Sequence, residues 1–507
     1  MLSVRHDSNC SQEQVLALLG KAAHGKRIDT HASHVFLEPD RVLKIKRAVR
    51  LPFLDFSALE KRKHACEEEL LVNKRNAPAL YRRVVPITQG PKGPEIDGRG
   101  EVIEWAVEMA RFDEQSTFDH LGARGEITPE LGEALAEVIL ASHRTATVSD
   151  GAGWLASITL IIDRNTQFFR TVASLAHNEV EWLQLESHRQ LNVHLPLLQQ
   201  RAAAGLVRHC HGDAHLGNIV LIGGKPVLFD AIEFDPVIAT TDVLYDLAFA
   251  LMDLIHFEQA IPASWLFNGY LQATWRENAD ALRLLPLFLS IRAAVRAQVL
   301  FTRAEQSGGG AAAATQARSY FDLALRLIAL QKPSLIAVGG RSGTGKSVLA
   351  RSIAALQAPA PGAVLLRSDV IRKELFGIAP FTGLPETAYA ADVTARVYHA
   401  MSARAATILK QGVSAVLDAT FLCEAEREGL PALAHTGGAR FHGLFLDAAI
   451  NIRLQRVGAR GPDASDANRE VALMQETCDV GQLDWPKVDA SGSPQDTLAR
   501  AKAYLKS

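Results

Sequence analysis

The stretch "VGGRSGTGKSVLA", residues 338–350, is a glycine-rich turn that leads into a lysine, a serine and an apolar helical pattern. It matches G-x-x-x-x-G-K-[S/T], in which backbone N–H groups curl around an anion, the lysine reaches the β- and γ-phosphates, and the serine hydroxyl binds magnesium. The apolar run "SLIAV" before it predicts a strand, and the helix after it points its positive end at the phosphates. We therefore predict a nucleotide-binding loop formed by Gly340, Ser342, Gly343, Thr344, Gly345, Lys346 and Ser347.

Three further stretches follow this loop, in a region where apolar strands and helices alternate and favour a parallel α/β sheet. "AVLLRSDVIRKEL" (363–375) predicts a strand that ends at Ser368-Asp369 and a helix that carries Arg372. "SAVLDATF" (414–421) predicts another strand, which ends in Asp418. "LQRVGARGPDASDAN" (454–468) is flexible and acidic and carries arginines.

A second dense polar stretch, "RHCHGDAHLGNIVL" (208–221), lies upstream and carries Asp213 and Asn218 on a predicted loop. Asp213 can accept a proton from a substrate hydroxyl, and Asn218 can offer an oxygen to magnesium. A predicted hairpin that turns at Gly223-Gly224 follows, and Asp230 in "LFDAIEF" ends its second strand. Because a hairpin returns the chain to its starting end, we expect Asp230 to face Asn218 as a ligand of the same metal. His211 and His215 are expected to be structural supports of this loop.

The first part of the chain predicts a small strand-rich lobe followed by a large helical lobe. "HVFLEPDRVLKIKRAV" (34–49) predicts a β-hairpin that turns at residues 38–40. The stretch 60–81 predicts a charged helix that ends before Pro78, and 101–112 predicts another strand. The pattern from about 115 to 208, and again after 234, is mostly helical.

The clearest candidate linker in the chain is "AEQSGGGAAAATQ" (304–316), where three consecutive glycines disfavour regular structure. A helical pattern follows and stops at Pro333, so we place a domain boundary near residue 330. The sequence thus predicts two domains, 1–330 and 331–507.

Composition is typical of a soluble globular protein: of 507 residues, 48% are apolar and 22% are charged. The net charge of −2 and the lack of lysine or arginine runs give no sign of a nucleic-acid-binding arm. The five cysteines form no CxxC pair, so neither a disulfide framework nor a zinc site is expected. We find no signal peptide and no apolar run of membrane-spanning length, and we expect a cytoplasmic protein.

"HGDAHLGNI" followed by "LFDAIEFDP" resembles the aminoglycoside phosphotransferase family, which shares the protein-kinase-like fold, and the resemblance covers most of residues 30–300. It implies that Asp213 is the catalytic base or hydroxyl-orienting group and that Asn218 and Asp230 bind the metal. It further implies that Asp246, in "TTDVLYDLA", supports the catalytic loop.

A kinase-like lobe also needs a strand lysine on the phosphates and a helix glutamate paired with it. "RVLKIK" offers Lys44 and Lys46 on the same face of a strand, with Lys44 preferred. On the helix, Glu69 and Glu68 compete for the pairing role. "THASHVFL" (30–37) contains no glycine, so the family's glycine-rich loop over the phosphates is absent.

The region after residue 330 resembles small P-loop kinases such as gluconate kinase and the kinase half of polynucleotide kinases. This resemblance implies that Asp369 activates the acceptor hydroxyl and that Arg372 holds the acceptor. It implies that Arg456 and Arg460 lie on a closing lid and neutralise charge on the transferred phosphoryl group. Asp418 would lie near the magnesium, directly or through water.

Together the halves resemble a two-domain bacterial family in which a phosphotransferase-like domain is fused to a P-loop kinase. The resemblance implies ATP and Mg²⁺ as cofactors and a hydroxyl acceptor. Three hypotheses stay open: a bifunctional enzyme, a single active P-loop kinase with an upstream binding or regulatory module, and a non-enzymatic nucleotide switch. The acceptor also stays open between a small hydroxylated metabolite and an RNA or nucleotide end, and the sequence predicts no oligomeric state.

Overall fold

The computed structural model describes residues 4–24, 26–30, 32–51, 54–306, 310–379, 382–459 and 464–505. Its internal contacts divide the chain into two compact units. The first comprises Met1–Ile127, Glu137–Gln167 and Leu191–Asp253, and the second comprises Thr128–Ala136, Phe168–Gln190 and Leu254–Ser507. The contacts group the residues from 254 onward with the C-terminal part. They describe packing, so the domain boundary near residue 330 stays a prediction about folding units.

The first unit contains a six-stranded antiparallel sheet. Its strand order is Arg27–Asp29, Ser33–Leu37, Arg41–Lys46, Val102–Ala110, Tyr81–Gly90 and Gly93–Ile96. Successive side chains of a strand point to opposite faces, so Leu43 and Ile45 enter a core with Val15 and Leu19 of the helix Val4–Ala22. The lysines at positions 44 and 46 therefore share the other face, as the sequence predicted.

The predicted loop and hairpin of the first unit are also present. Short strands Val207–His209 and Thr240–Asp242 pair with each other, and the hairpin is formed by Ile219–Ile222 and Lys225–Leu228. It turns at Gly223 and Gly224, whose φ angles of 56° and 77° are positive, as a two-residue hairpin turn requires. A two-stranded pair, Arg50–Leu51 with Leu54–Asp55, completes the strands of this unit among the described residues.

Helices dominate residues 59–74 and 114–328, in agreement with the sequence pattern. The α-helices are Leu59–Lys74, Phe118–Ala123, Pro129–Thr145, Ala152–Phe169, His177–Ala203, Pro236–Ala239, Val243–His256, Ala260–Ala273, Trp275–Asn278, Leu285–Gln306 and Gly310–Ile328, and the 3₁₀ turns are Glu114–Ser116, Leu216–Asn218 and Ala279–Leu284. Within the described part, the stretch Trp275–Glu305 is long and apolar enough to cross a membrane by length and composition. Its most apolar window is 72% buried, which is typical of a core helix.

The second unit contains a parallel five-stranded sheet, as the alternating pattern predicted. Its strand order is Val364–Arg367, Ala415–Asp418, Ser334–Gly340, Arg440–Asp447 and Lys487–Asp489. The connecting elements are Lys346–Ala355, Ser368–Leu375, Glu386–Tyr389, Ala391–Lys410, Ala425–Thr436, Ile450–Gly458, Arg469–Met474, Gln475–Thr477 and Pro494–Leu505. Because all five strands run in one direction, their carboxyl ends meet at one edge, where ligands of such sheets bind.

Two boundaries differ from the sequence prediction. Ser368 and Asp369 form the first turn of a helix, because the strand ends at Arg367. Arg456 belongs to the helix Ile450–Gly458, although the sequence placed it on a flexible segment. The apolar residues Ile450, Leu454 and Val457 recur at helical spacing around it, so local periodicity outweighs the polar character of the residues that follow.

Candidate active sites

A buried ion-pair cluster forms in the first unit around Glu69. Lys44 Nζ lies 2.8 Å from Glu69 Oε1 and 2.5 Å from Asp230 Oδ1. Lys46 Nζ lies 2.6 Å from Glu69 Oε2 and also contacts Glu233. Glu69 is fully buried and serves both lysines, whereas Glu68 is only half-buried. The choice between the glutamates falls on Glu69, and Lys44 is the lysine that also reaches Asp230.

Burial and pairing act against each other in this cluster. Burial opposes the charge on Lys44, but the carboxylates of Asp230 and Glu69 raise its pKa well above the ordinary value. Burial opposes ionisation of Glu69 too, yet the two lysines lower its pKa. The pKa of Glu233 is raised because burial outweighs the attraction of Lys46. Attraction between the lysines and the carboxylates thus outweighs the effect of burial at Lys44 and Glu69.

The polar loop brings Asp213 and Asn218 together. Asn218 Nδ2 donates to the side chain and to the backbone carbonyl of Asp213, both at 3.0 Å. His215 Nδ1 accepts from the backbone N–H of Gly217 at 3.0 Å, and its Nε2 lies 3.5 Å from Asp213 Oδ2. Asp213 and Asn218 thus form one hydrogen-bonded pair. His215, on the same loop, contacts Gly217 and Asp213 and so stabilises the loop conformation.

Asp246 supports the same loop from the helix Val243–His256. Its Oδ1 accepts from the backbone N–H of Gly212 at 2.8 Å, and its Oδ2 lies 3.1 Å from His143 Nε2. His211 Nε2 lies 3.0 Å from the carbonyl oxygen of Phe229. His143 and His211 therefore each have a hydrogen-bond partner within the fold.

Asp230 adopts a left-handed backbone conformation, with φ of 59°. Its N–H donates to Tyr81 Oη at 3.1 Å, and the next N–H, of Ala231, donates to Asn73 Oδ1 at 2.8 Å. Phe229 N–H donates to the backbone carbonyl of Asn218 at 3.0 Å, which places the strand end beside the loop. Such a conformation costs energy in a residue with a side chain and is typical of functional positions.

The turn where a glycine-rich loop would lie is short. Strands Arg27–Asp29 and Ser33–Leu37 are joined by residues 30–32 alone, of which the structure describes 30 and 32. Thr30 N–H donates to the carbonyl of Ser33 at 2.9 Å and closes the turn. This short turn agrees with the absence of a glycine-rich loop in the sequence of residues 30–37.

In the second unit, the loop Gly340–Ser347 has the conformation that its glycines permit. The φ angles of Gly340, Gly343 and Gly345 are 136°, 84° and 91°, in the left-handed region that side chains disfavour. A Cβ on Gly343 would lie 2.6 Å from the carbonyl oxygen of Arg453, so close packing also demands glycine there. Lys346 Nζ donates to the Arg341 carbonyl at 3.2 Å.

The guanidinium of Arg367 lies between the two residues predicted to hold magnesium in this loop region. Its Nε donates to Asp418 Oδ2 at 3.2 Å, and its Nη2 lies 3.4 Å from Ser347 Oγ. A hydroxyl and a carboxylate are oxygen donors that Mg²⁺ prefers, and their contact with one guanidinium shows that both reach the same place. The donors are of a kind that suits a magnesium ion, which would have to displace the Arg367 guanidinium from between them. Sequence reasoning missed Arg367, although its position at a strand end next to Asp369 was a usable signal.

The carboxyl group of Asp369 interacts electrostatically with Asp418, Arg367 and Lys346. Burial and the carboxylate of Asp418 raise its pKa above the ordinary aspartate value, while Arg367 and Lys346 act in the opposite direction. A carboxylate with a raised pKa is a stronger proton acceptor than an ordinary aspartate. The arrangement can thus accept a proton close to a phosphate-binding loop.

The predicted arginines have different surroundings. Arg372 is buried, donates to the Ala388 carbonyl at 2.6 Å and lies 4.9 Å from the Tyr389 ring centre. Arg456 donates to the backbone carbonyls of residues 490 and 492, at 2.7 and 2.8 Å. Its guanidinium contacts the loop at residues 490–492, and the lid role expected for it stays a prediction. Arg460 lies outside the described residues.

Two further features were missed by sequence reasoning. Arg453 donates to the Ser342 carbonyl at 3.2 Å, and Ser342 N–H donates to Gln475 Oε1 at 2.7 Å, so residues far along the chain brace the loop. A cavity of about 510 Å³ adjoins it, lined among others by Arg341, Asp447, Arg453, Glu476, Lys487 and Asp489.

Two regions of the chain match models of known protein families. Residues 75–282 match the model of the phosphotransferase enzyme family, and residues 335–478 match the model of an AAA domain. Uncharacterized proteins of Mycobacterium tuberculosis and Mycobacterium bovis are each 26% identical over 491 residues, which cover 93% of this chain and 94% of the relative.

Solved structures resemble the two regions separately. A gluconokinase from Sinorhizobium meliloti is 22% identical, covers 35% of this chain and 94% of its own, and has a TM-score of 0.26. A choline/ethanolamine kinase family protein from Mesorhizobium loti is 12% identical, covers 63% of this chain and 99% of its own, and has a TM-score of 0.36. At TM-scores below 0.5 neither structure carries a conclusion. The family-model matches at 75–282 and 335–478 are the findings that support a phosphotransferase enzyme with a kinase-like region followed by a P-loop region.

Proposed function

We propose that the P-loop region transfers the γ-phosphoryl group of ATP to a hydroxyl group of a small molecule in the cytoplasm. The observation that carries this proposal is the meeting of Lys346, Ser347, Asp418 and Asp369 at the carboxyl edge of the parallel sheet. A nucleotide switch without transfer needs no buried carboxylate beside the phosphate loop, and Asp369 supplies one.

The residues divide the chemistry among themselves. The N–H groups of the loop Gly340–Ser347 cradle the phosphates, and Lys346 neutralises charge on them. Ser347 and Asp418 would hold Mg²⁺, which when bound neutralises phosphate charge. Asp369 accepts the proton of the acceptor hydroxyl as its oxygen attacks phosphorus. The cavity beside Arg341 and Asp447 receives the nucleoside.

We propose a second phosphotransfer site in the first unit, built from two pairs that the described structure brings together. Asp213 is hydrogen-bonded to Asn218, and Lys44 is paired with Glu69. Asn218 and Asp230 would hold Mg²⁺ there, and Asp213 would orient or deprotonate an acceptor hydroxyl. The alternative, that this unit only binds or senses a ligand while the P-loop region alone is active, is favoured by the three-residue turn at 30–32.

One experiment separates these proposals. Transfer from γ-labelled ATP to a panel of hydroxyl compounds is measured for the wild-type chain, for Lys346→Ala and for Asp213→Ala. Loss of different products in the two variants supports two sites, and loss only in Lys346→Ala supports a single P-loop kinase. A Lys346→Ala variant that keeps all products contradicts transfer at the P-loop.

A further inference from the structure

Among the residues that the structure describes, the strand Val364–Arg367 lies at the edge of the parallel sheet and pairs with one strand, Ala415–Asp418. Val364 N–H donates to the Ser414 carbonyl on the inner side. Residues alternate in the direction of their main-chain groups, so the carbonyl of Ala363 and the N–H of Leu365 point outward. An unpaired edge of this kind exposes hydrogen-bonding groups that a protein usually covers.

One side chain covers this edge. Asn268, in the helix Ala260–Ala273, accepts from Leu365 N–H through Oδ1 at 2.7 Å and donates to the Ala363 carbonyl through Nδ2 at 3.2 Å. A side-chain amide carries the same donor and acceptor as a peptide group. Asn268 therefore makes the pair of bonds that the next strand of a sheet would make.

Neighbouring side chains join the same helical segment to the helices around the edge strand. The Trp265 ring lies 4.8 Å from the Arg351 guanidinium, and the Trp275 ring lies 4.9 Å from that of Arg404. Arg283 Nε donates to Gln411 Oε1 at 2.6 Å. The Asn268 contact is thus one of several contacts that residues 265–283 make with the helix Lys346–Ala355 and with the helix Ala391–Lys410 and its C-cap.

We infer that Asn268 is a positioning residue for Asp369, an inference that rests on the proposed role of Asp369. We call the two hydrogen bonds from Asn268 to residues 363 and 365 the clamp. The strand that the clamp holds ends at Arg367, directly before the helix turn that carries Asp369. Asn268 lies within the region that matches the phosphotransferase family, and Asp369 lies within the P-loop kinase region. A helix of one region therefore completes and aligns the acceptor side of the other.

The test uses the full chain with Asn268→Leu, which keeps the size of the side chain but removes both bonds to the edge strand, together with the bonds that Nδ2 donates to Ser264 within the helix. Asn268→Asp keeps the acceptor for Leu365 N–H and loses the donor. Gln272→Leu is the matched control, because it removes an exposed amide from the same helix. Amide hydrogen exchange at Leu365, nucleotide affinity, and acceptor-dependent transfer are measured for each.

In Asn268→Leu we expect exchange at Leu365 to rise about tenfold and transfer to fall several-fold, with nucleotide affinity changed less than about twofold, as loss of a hydrogen bond predicts. Asn268→Asp should retain more protection at Leu365, and Gln272→Leu should match the wild type. Unchanged exchange in Asn268→Leu overturns the contact, and faster exchange with unchanged transfer overturns the positioning role. A wild-type chain that transfers nothing refutes the proposed function and the positioning role together, while the exchange result still decides whether the clamp exists.

Discussion

Arg367 Nε donates to Asp418 Oδ2 across a distance of 3.2 Å, and both side chains are more than nine-tenths buried. The two residues are partners in the register of adjacent parallel strands, so the pair is fixed by the sheet itself. Ser347 Oγ reaches the same guanidinium. A positive side chain thus holds together the groups that we propose as magnesium ligands.

Removal of this cation should destabilise the second unit. In Arg367→Ala, Asp418 stays buried without its partner, and we expect a loss of roughly 3 kcal/mol in unfolding free energy. Because the carboxylate is then free for a metal, Mg²⁺ should raise the thermal midpoint of the variant more than that of the wild type. Arg367→Lys, which keeps a cation, serves as the control. Equal midpoints for Arg367→Ala and the wild type, with and without Mg²⁺, would contradict this account.

Asp369 should be needed for transfer but not for nucleotide binding. We expect Asp369→Asn to lower the transfer rate by about 10²- to 10⁴-fold, because an amide cannot accept the hydroxyl proton. ATP affinity, measured by calorimetry, should change little. Asp392→Asn, an exposed carboxylate on a nearby helix, is the matched control. A transfer rate in Asp369→Asn equal to that of the control would remove Asp369 from the mechanism.

The pH profile should report the raised pKa of Asp369. Burial and Asp418 raise this pKa above the ordinary value of 3.8, so the ionised, proton-accepting form is lost at a higher pH than for an exposed aspartate. The transfer rate should therefore fall on the acid side through a pKa above 3.8. In Arg367→Gln the cation that opposes the shift is gone, and the acid limb should move to higher pH. If the acid limb of the pH profile lies at the same pH in Arg367→Gln as in the wild type, Arg367 does not lower the pKa of Asp369.

Glu69 should stabilise the first unit more than its neighbour Glu68. Glu69→Gln leaves two buried lysines without their shared carboxylate, and we expect a loss of roughly 3–5 kcal/mol in urea unfolding. Glu68→Gln, at a half-buried position, should cost little. Because the folded pKa of Glu69 is lowered, its contribution is present above the unfolded pKa and is lost as pH falls through the folded value. Equal losses in the two variants would contradict the pairing.

The parts of this architecture that the sequence predicted depend on local patterns. The turn at Gly223-Gly224 follows from the positive φ angles that two-residue hairpins need, and the loop Gly340–Ser347 follows from its glycines and lysine. The shared face of Lys44 and Lys46 follows from strand periodicity. Each of these features is encoded within a few residues, so the sequence alone was enough.

The missed parts depend on contacts between distant positions. Asn268 accepts a hydrogen bond from Leu365, 97 residues away. The sequence around an asparagine in a helix does not indicate which strand its side chain will contact. The partners of Arg456 are likewise carbonyls 34 and 36 residues further along the chain, which its local sequence does not indicate. Several arginines near a phosphate loop look equivalent in sequence, and packing decides which of them face the site.

The central claim is tested most directly by a crystal structure of the full chain with a non-hydrolysable ATP analogue and Mg²⁺. The account predicts phosphates within the loop Gly340–Ser347, Mg²⁺ beside Ser347 and Asp418, and Asp369 facing the terminal phosphate. Nucleotide absent from that loop, or an Asp369 carboxylate turned away from bound phosphates, would contradict it.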